Sequence, residues 1–316
     1  MHTLACNAHC QFCSNDKLSG KTSSKGYVFR IIDTVKDNGA VAIIFLGGES
    51  LVDPNLGDYI AYTKKNHLIP LLQTNGTLIT NQKIQELRKA GLFSITITIH
   101  DSIAKKHDSV YGISGALDTT MKALPVLRDA GIEINFKTLY SHESVESGAF
   151  LRILSLAKKY NVFLNVNPIM PVGRGMNQKN MLTESQRIDY LLCTTKTPEI
   201  TTHTKHQYDA QCPAGHQYLG ILPTGEILPC YFIPISVGNI KDTSFALASR
   251  RAAELGIFKK GERSCVIAMD DLFFHKVIKP LYLSNLQLPV RAHENDFCAL
   301  LIKQYFFERE RRGSEK

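Results

Sequence analysis

No apolar stretch long enough to cross a bilayer interrupts this chain of 316 residues. Residues Met1 to Asn15 lack the apolar central run of a secretory signal, and nothing like a mitochondrial presequence precedes the first cysteine. Export and membrane insertion are therefore not expected, and the cytoplasm is the expected compartment. A run of lysines and arginines with interleaved aromatics is also missing. The formal net charge of +8 thus favours an anionic small molecule or a peptide over a nucleic acid as partner. Part of that charge sits in a mixed tail, where Arg309, Arg311, Arg312 and Lys316 alternate with Glu308, Glu310 and Glu315, the pattern of a solvated helix end. There is no repeat of fixed period and no low-complexity segment. With 44% hydrophobic and 21% charged residues, the composition is that of a globular protein with one large and one smaller unit.

From Ala42 to Pro168 short apolar runs alternate with longer amphipathic segments, the signature of βα units on a parallel sheet. The strands are expected at Ala42 to Phe45, Ile69 to Gln73, Ser94 to Ile99, Glu133 to Leu139 and Phe163 to Asn167. Helices are expected near residues 27–38, 56–66, 81–90, 115–130 and 150–160. Asn38-Gly39, Ala90-Gly91 and Ala130-Gly131 supply the glycine stop that ends a helix before a strand. Counting a brief strand at His2 to Ala5, and a last helix at Thr183 to Thr194, six βα units result. Six is short of the eight of a closed barrel, so the expected fold is α/β: a partial, TIM-like (βα)6 barrel over residues 1–195. The first strand is shorter than the usual five or so residues; either it is a weakly paired edge or the true N-terminus lies upstream. Beyond a boundary placed near Thr195 to Gln207, Tyr218 to Leu222 and Ile227 to Phe232 flank Pro223-Thr224-Gly225-Glu226 and read as a β-hairpin. Residues 196–316 are accordingly expected to form a small α+β domain with a helical C-terminus.

The chain has eight cysteines. Without an export signal their clustering points to metal rather than disulfides. Cys6-x-x-x-Cys10-x-x-Cys13 places three thiolates in one loop directly after a strand, a density that suits an iron–sulfur cluster or zinc. Structural zinc asks for four ligands, commonly in paired knuckles. Three thiolates with no fourth nearby would leave one iron of a cubane open to another ligand. The alternative is a structural metal loop, or thiols that bind nothing.

Cys-Asn-x-x-Cys-x-Phe-Cys, with Phe12 before the third cysteine, resembles the signature loop of radical S-adenosylmethionine (SAM) enzymes. Gly47-Gly48-Glu49 after the next strand resembles that family's Gly-Gly-Glu motif, with Ser50 where proline is usual. Thr74-Asn75-Gly76 resembles its Thr-Asn-Gly stretch, and Thr98-Ile99-His100 stands where relatives often carry Ser-x-Asp. His107-Asp108 with Gly112 and Gly115 matches a segment that orients a loop and the next helix. Gly173-Arg174-Gly175 resembles a Pro-x-Gly-Arg segment. The resemblance implies a [4Fe-4S] cluster on Cys6, Cys10 and Cys13 whose open iron chelates SAM. It further implies reductive cleavage to a 5′-deoxyadenosyl radical and hydrogen abstraction from a peptide or small biosynthetic intermediate, with a one-electron donor such as flavodoxin or ferredoxin. Phe12, Gly47, Gly48, Glu49, Thr74, Asn75, Thr98, His100 and Arg174 are the residues it places around the cofactor. Glycines at such a turn allow close backbone approach.

Cys212 and Cys230 flank the expected hairpin, and Val237-Gly238-Asn239-Ile240 follows. This stretch resembles the start of a SPASM or Twitch extension, which binds auxiliary [4Fe-4S] clusters. It implies at most one such cluster, with Cys212, Cys230, Cys265 and Cys298 as candidate ligands. Cys193 fits neither set and is expected in the core. The competing reading is a non-catalytic iron–sulfur or zinc-binding protein that uses the fold for binding or electron transfer.

Overall fold

In the computed structural model, which describes residues 1–18, 22–176, 180–201, 212–257 and 265–314, the alternation of apolar runs and amphipathic segments becomes a wound parallel sheet. Strands β1 (Ala42–Phe45), β2 (Ile69–Thr74), β3 (Ser94–Thr98), β4 (Glu133–Tyr140) and β5 (Phe163–Pro168) lie side by side in chain order. A sixth, β6 (Ile200–Thr201), pairs with β5. All neighbouring pairs in this sheet are parallel. Uninterrupted sequence order is the order of a barrel segment; a doubly wound sheet reverses direction at a switch point.

Helices α1 (Lys25–Asp37), α2 (Leu56–Lys65), α3 (Asn81–Ala90), α4 (Ala104–Tyr111), α5 (Ala116–Asp129), α6 (His142–Glu146), α7 (Ala149–Tyr160) and α8 (Glu184–Lys196) connect the strands. Their ends follow from local chemistry. Thr80 caps α3 by accepting from Lys83 N–H, and Gly91 closes it with φ of 89°. Thr183 and Gln186 form a reciprocal capping box at the start of α8. Asp108 accepts from Gly115 N–H at 2.6 Å and Leu117 N–H at 3.0 Å, so it fixes the entry to α5 as the sequence suggests. Leu72, Ile95, Ile97, Phe136, Leu164 and Val166 are buried from one face of the sheet, each worth about 1.5–3 kcal/mol on full burial.

Two expectations change. The strand at His2 to Ala5 reduces to single bridges from Thr3 to Gly47 and to Thr22. The six-strand count is completed instead by β6, so the sheet runs past residue 196; the expected boundary segment falls partly on residues 202–207, outside the described ones.

The chain divides into two compact units: Met1–Gln11, Lys21–Pro168 and Leu182–Thr202 in one, Phe12–Gly20, Ile169–Met181 and His203–Lys316 in the other. In the second, β7 (Gly220–Ile221) and β8 (Glu226–Leu228) form the antiparallel hairpin, turned at Gly225 with φ of 89°, and β10 (Gly238–Asn239) adds to β8 after β9 (Ile235–Ser236). Strand β11 (Val290–Arg291) pairs with β9. Glu226 stitches this region, taking Arg291 Nη2 at 2.9 Å and Asn239 Nδ2 at 2.9 Å. The helix Asp296–Ser314 closes the chain, with Glu308 paired to Lys276; Glu315 and Lys316 are outside the described residues. Among the described residues no helix is long and apolar enough to cross a membrane.

Candidate active site

The C-terminal ends of β1, β2 and β3 belong to one edge of the parallel sheet, which is where barrel enzymes place their chemistry. Residues 3–5, which lead into Cys6, are held at this edge by backbone bonds: Gly48 N–H donates to Thr3 O at 3.0 Å and Glu49 N–H to Ala5 O at 2.8 Å. A Cβ at position 47 would stand 1.9 Å from Thr3 O, and one at position 48 would stand 2.2 Å from Ala5 O. The two glycines are thus required by the approach of this chain segment, whatever they also do for a ligand.

Glu49 is 1% exposed, and both oxygens of its carboxylate accept hydrogen bonds. Oε1 accepts from Leu51 N–H at 2.9 Å and from Thr74 Oγ1 at 2.7 Å, and Oε2 accepts from Asn75 N–H at 2.6 Å. Burial pushes its pKa up, opposed by these three donors. Asn75 then reaches the cysteine loop: its Nδ2 donates to Asn7 Oδ1 at 3.0 Å, while Asn7 Nδ2 donates to Thr77 Oγ1 at 2.8 Å. Gly76 sits at φ of 82°, where a Cβ would meet Thr120 Oγ1 at 2.4 Å. Glu49, Thr74, Asn75 and the Asn7 segment therefore form one connected network.

At the end of β3, Thr98 O accepts from Tyr111 Oη at 2.9 Å, and Tyr111 O accepts from His9 N–H at 3.2 Å. Burial raises the Tyr111 phenol well above its ordinary value, and Cys10, Glu49 and Cys6 push in the same direction. His100 N–H donates to His107 Nδ1 at 3.1 Å, which leaves the His107 proton on Nε2. Burial and then the neighbouring His107 hold His100 down at about 3; burial holds His107 at about 4. Both imidazoles are therefore neutral near pH 7. Asp101, next to His100, is no substitute for the family's usual acid, because Arg152 clamps it with Nη2 at 2.6 Å and Nε at 2.9 Å.

Cys6 is exposed and Cys10 half-buried. In the other unit, Cys13 is half-buried and its carbonyl accepts from Arg174 N–H at 2.9 Å. Gly173, at φ of 56°, passes so near that a Cβ would stand 2.3 Å from Cys13 O. Arg174 Nε lies 3.4 Å from Asp16 Oδ1. Phe12 is half-buried beside the same turn, its carbonyl 3.5 Å from where a Gly175 Cβ would lie.

Three later cysteines share an environment. Burial pushes Cys230 up to about 12, with Cys265 and Cys212 adding to the rise, and Cys265 up to about 11, with Cys212 adding. Cys212 is also raised, by burial. Tyr218 Oη lies 3.9 Å from Cys230 Sγ, and Cys265 Sγ lies 4.0 Å from Met170 Sδ. Cys298 is buried on the C-terminal helix, and burial alone raises its thiol. It belongs to the same buried apolar cluster as Cys230, against which Cys212 and Cys265 also pack. Cys193, on α8, is half-buried with Thr197 Oγ1 at 3.9 Å. Among the described residues no three His, Cys, Asp or Glu side chains already surround a common point. The donor types nonetheless fit clusters: buried thiols forced to stay protonated are the groups a cationic centre would deprotonate and bind.

Asn7, Thr77 and Tyr111 join the site in addition to the residues that the sequence motifs place there. Asn7 is visible as part of the cysteine motif; nothing local marks Thr77 or Tyr111.

Residues 1–154 match the sequence profile of the radical SAM superfamily, and residues 212–266 match SPASM, an iron–sulfur cluster-binding domain. An AdoMet-dependent heme synthase from Nitratidesulfovibrio vulgaris is 26% identical over 300 residues, covering 82% of this chain and 80% of the relative. Among solved structures, anSMEcpe with bound AdoMet superposes with a TM-score of 0.64 at 14% identity, covering 98% of this chain and 95% of that one. Streptococcus suis SuiB bound to its precursor peptide SuiA gives 0.63 at 15% identity, with 94% of this chain and 74% of SuiB covered. At these identities the two structures speak for the fold.

Proposed function

Because this chain is a radical SAM enzyme with an iron–sulfur cluster-binding SPASM domain, we propose that it cleaves SAM reductively at a [4Fe-4S] cluster that Cys6, Cys10 and Cys13 would hold, and abstracts hydrogen from a peptide or small biosynthetic intermediate. A [4Fe-4S] cluster and SAM are the cofactors these domains bring, and bound together they supply the electron transfer and the radical. The chain's own residues do the positioning. The observation that carries the reading is the network in which Glu49 and Asn75 are locked to each other and Asn75 to Asn7.

Cys6 and Cys10 would be ligands on a loop whose entry is fixed by Gly47 and Gly48 and whose middle is tied to Tyr111. Glu49, held rigid by three donors, would receive an ammonium group of the cofactor; a cation arriving there offsets the cost of its burial. Tyr111 keeps its proton and donates it to Thr98 O, a neutral wall beside the thiolates. Cys212, Cys230 and Cys265 would hold an auxiliary cluster. A flavodoxin or ferredoxin would deliver the first electron.

The heme synthase relative supports cofactor building, and a PqqA peptide cyclase from Gluconobacter oxydans, 22% identical over 270 residues and covering 77% of this chain and 73% of the relative, supports a peptide substrate. Anaerobic reconstitution with iron and sulfide, reduction, and addition of SAM should yield 5′-deoxyadenosine. Cys6→Ala, Cys10→Ala or Cys13→Ala should abolish it. A protein that takes up iron but forms none would instead be a binding or electron-transfer protein.

A further inference from the structure

The two faces of the sheet differ. On β4, Phe136 meets Tyr160 at 6.4 Å between ring centres and Tyr140 meets Phe150 at 4.8 Å, so the even-numbered positions face the helices. The odd positions, Lys137 and Leu139, face the other way. The parallel register sets Lys137 beside Asn165 and Leu139 beside Asn167, which puts all four on this inner face. Lys137 reaches along it, Nζ donating to Gln73 Oε1 at 3.2 Å on β2.

Asn167 is the unusual member. It is 1% exposed, yet neither its Nδ2 nor its Oδ1 has a partner among the described residues. Asn165 Oδ1 is likewise buried and unpartnered, and its Nδ2 only grazes Thr201 Oγ1 at 3.5 Å. A buried amide without partners is costly. An apolar residue at position 167 would cost the fold less, so the presence of Asn167 next to the C-terminal end of β5, where barrels place their chemistry, calls for a ligand. An open carboxamide offers one donor and one acceptor in a plane, the complement of an amide N–H and C=O. Lys137, on the adjacent strand, adds a cation.

We propose that Asn167, Asn165 and Lys137 form a substrate subsite for an amide unit carrying a carboxylate, as an acidic residue of a peptide presents it. The assignment rests on the proposed function and names the substrate class. Burial holds the Lys137 ammonium down at about 8, as expected for a cation that a carboxylate would restore to full charge.

The test uses the iron–sulfur-loaded chain, kept anaerobic and labelled with [15N]asparagine, with N-acetylglutamate N-methylamide as probe. The Asn167 side-chain signal is the one absent from Asn167→Leu. Saturable movement of that signal is expected, with at least fivefold weaker binding of the glutamine analogue and of the acidic probe to Lys137→Met. Movement with adenosine but not with the acidic amide would assign the site to the cofactor and overturn the proposal. Movement with neither would mean that water fills it, with the same consequence. Asn167→Leu, lacking the orphan amide, should melt no lower than the parent. A clear drop would show that the amide is satisfied within the fold, and Asn167→Ser supplies the signal assignment if the leucine variant does not fold. Formation of 5′-deoxyadenosine by the same preparation reports separately on the proposed function.

Discussion

Alanine at Gly48 tests how the first two cysteines are held. The added carbon would stand 2.2 Å from Ala5 O and 2.6 Å from Leu4 O, both backbone atoms. Restoring ordinary contact moves residues 3–5 away by about 1 Å. The bonds from Gly48 N–H to Thr3 O and from Glu49 N–H to Ala5 O, now 3.0 and 2.8 Å, would then pass out of hydrogen-bonding range. Two lost bonds cost about 1 kcal/mol each, and overpacking adds about 1–3 kcal/mol, so the segment cannot stay in place for less than about 3 kcal/mol. Letting it detach gives up the same two bonds and the burial of His2 and Thr3, which is comparable. A loss of about 3 kcal/mol lowers the melting temperature by roughly 6–12 °C in a domain of this size. Iron uptake should fall with it, because the loop that carries Cys6 loses its anchor. Melting followed by circular dichroism, with iron and sulfide counted per chain, reads both. Gly26→Ala is the control: no atom lies within 4 Å of its Cβ position on α1, so stability should hold or rise by up to about 1 kcal/mol. If Gly48→Ala melts with the parent and binds its full iron, the close approach does not constrain the loop and the reasoning fails.

Glu49→Gln should change the pH dependence of stability in a defined direction. Burial raises the Glu49 pKa in the folded chain, so its contribution to folding is fully present below the ordinary carboxylate range and is lost as pH rises through the raised value. Glutamine has no proton to lose, so the urea midpoint of the variant should vary less with pH across that window; an unchanged slope would place the ionised carboxylate at no cost. The late cysteines should separate by iron content: Cys265→Ala should remove one cluster's worth of iron and its electron paramagnetic resonance signal, while Cys298→Ala keeps both and loses about 1 kcal/mol of stability from a small cavity. Loss of the signal in Cys298→Ala would restore it to the ligand set.

The strands and helices were legible because each carries its own signal. Strand β1 spans the same four residues that the apolar run Ala-Ile-Ile-Phe marks, and α3 starts and stops where Thr80 and Gly91 place it. Elements without a local signal were not legible. Strand β6 is two residues long and owes its place to pairing with Leu164 and Asn165, so no periodicity announces it. The reduced first strand illustrates the reverse case: its carbonyls at Thr3 and Ala5 accept from Gly48 and Glu49, but Ala5 N–H turns to Thr3 Oγ1, and only bridges form.

The site divides along the same line. Cys6, Cys10, Cys13 and Gly47-Gly48-Glu49 are readable because contiguous residues carry them, whereas the reason that position 47 must be glycine lies at Thr3, more than forty residues earlier in the chain. Tyr111 and Thr77 acquire their roles only when the loop after β3 and the end of β2 meet the cysteine segment. Lys137 and Asn167 sit inside runs that read as buried strand, and sequence alone cannot say that one face of that strand is polar. In a closed, packed barrel those inward positions would be branched aliphatics filling the interior. In this partial barrel the inward positions instead carry Gln73, Lys137, Asn165 and Asn167. The unpartnered amide atoms of Asn165 and Asn167 are what distinguish this face from such an interior, and the proposed subsite would put recognition on the scaffold strands as well as on the loops that bear the cysteines.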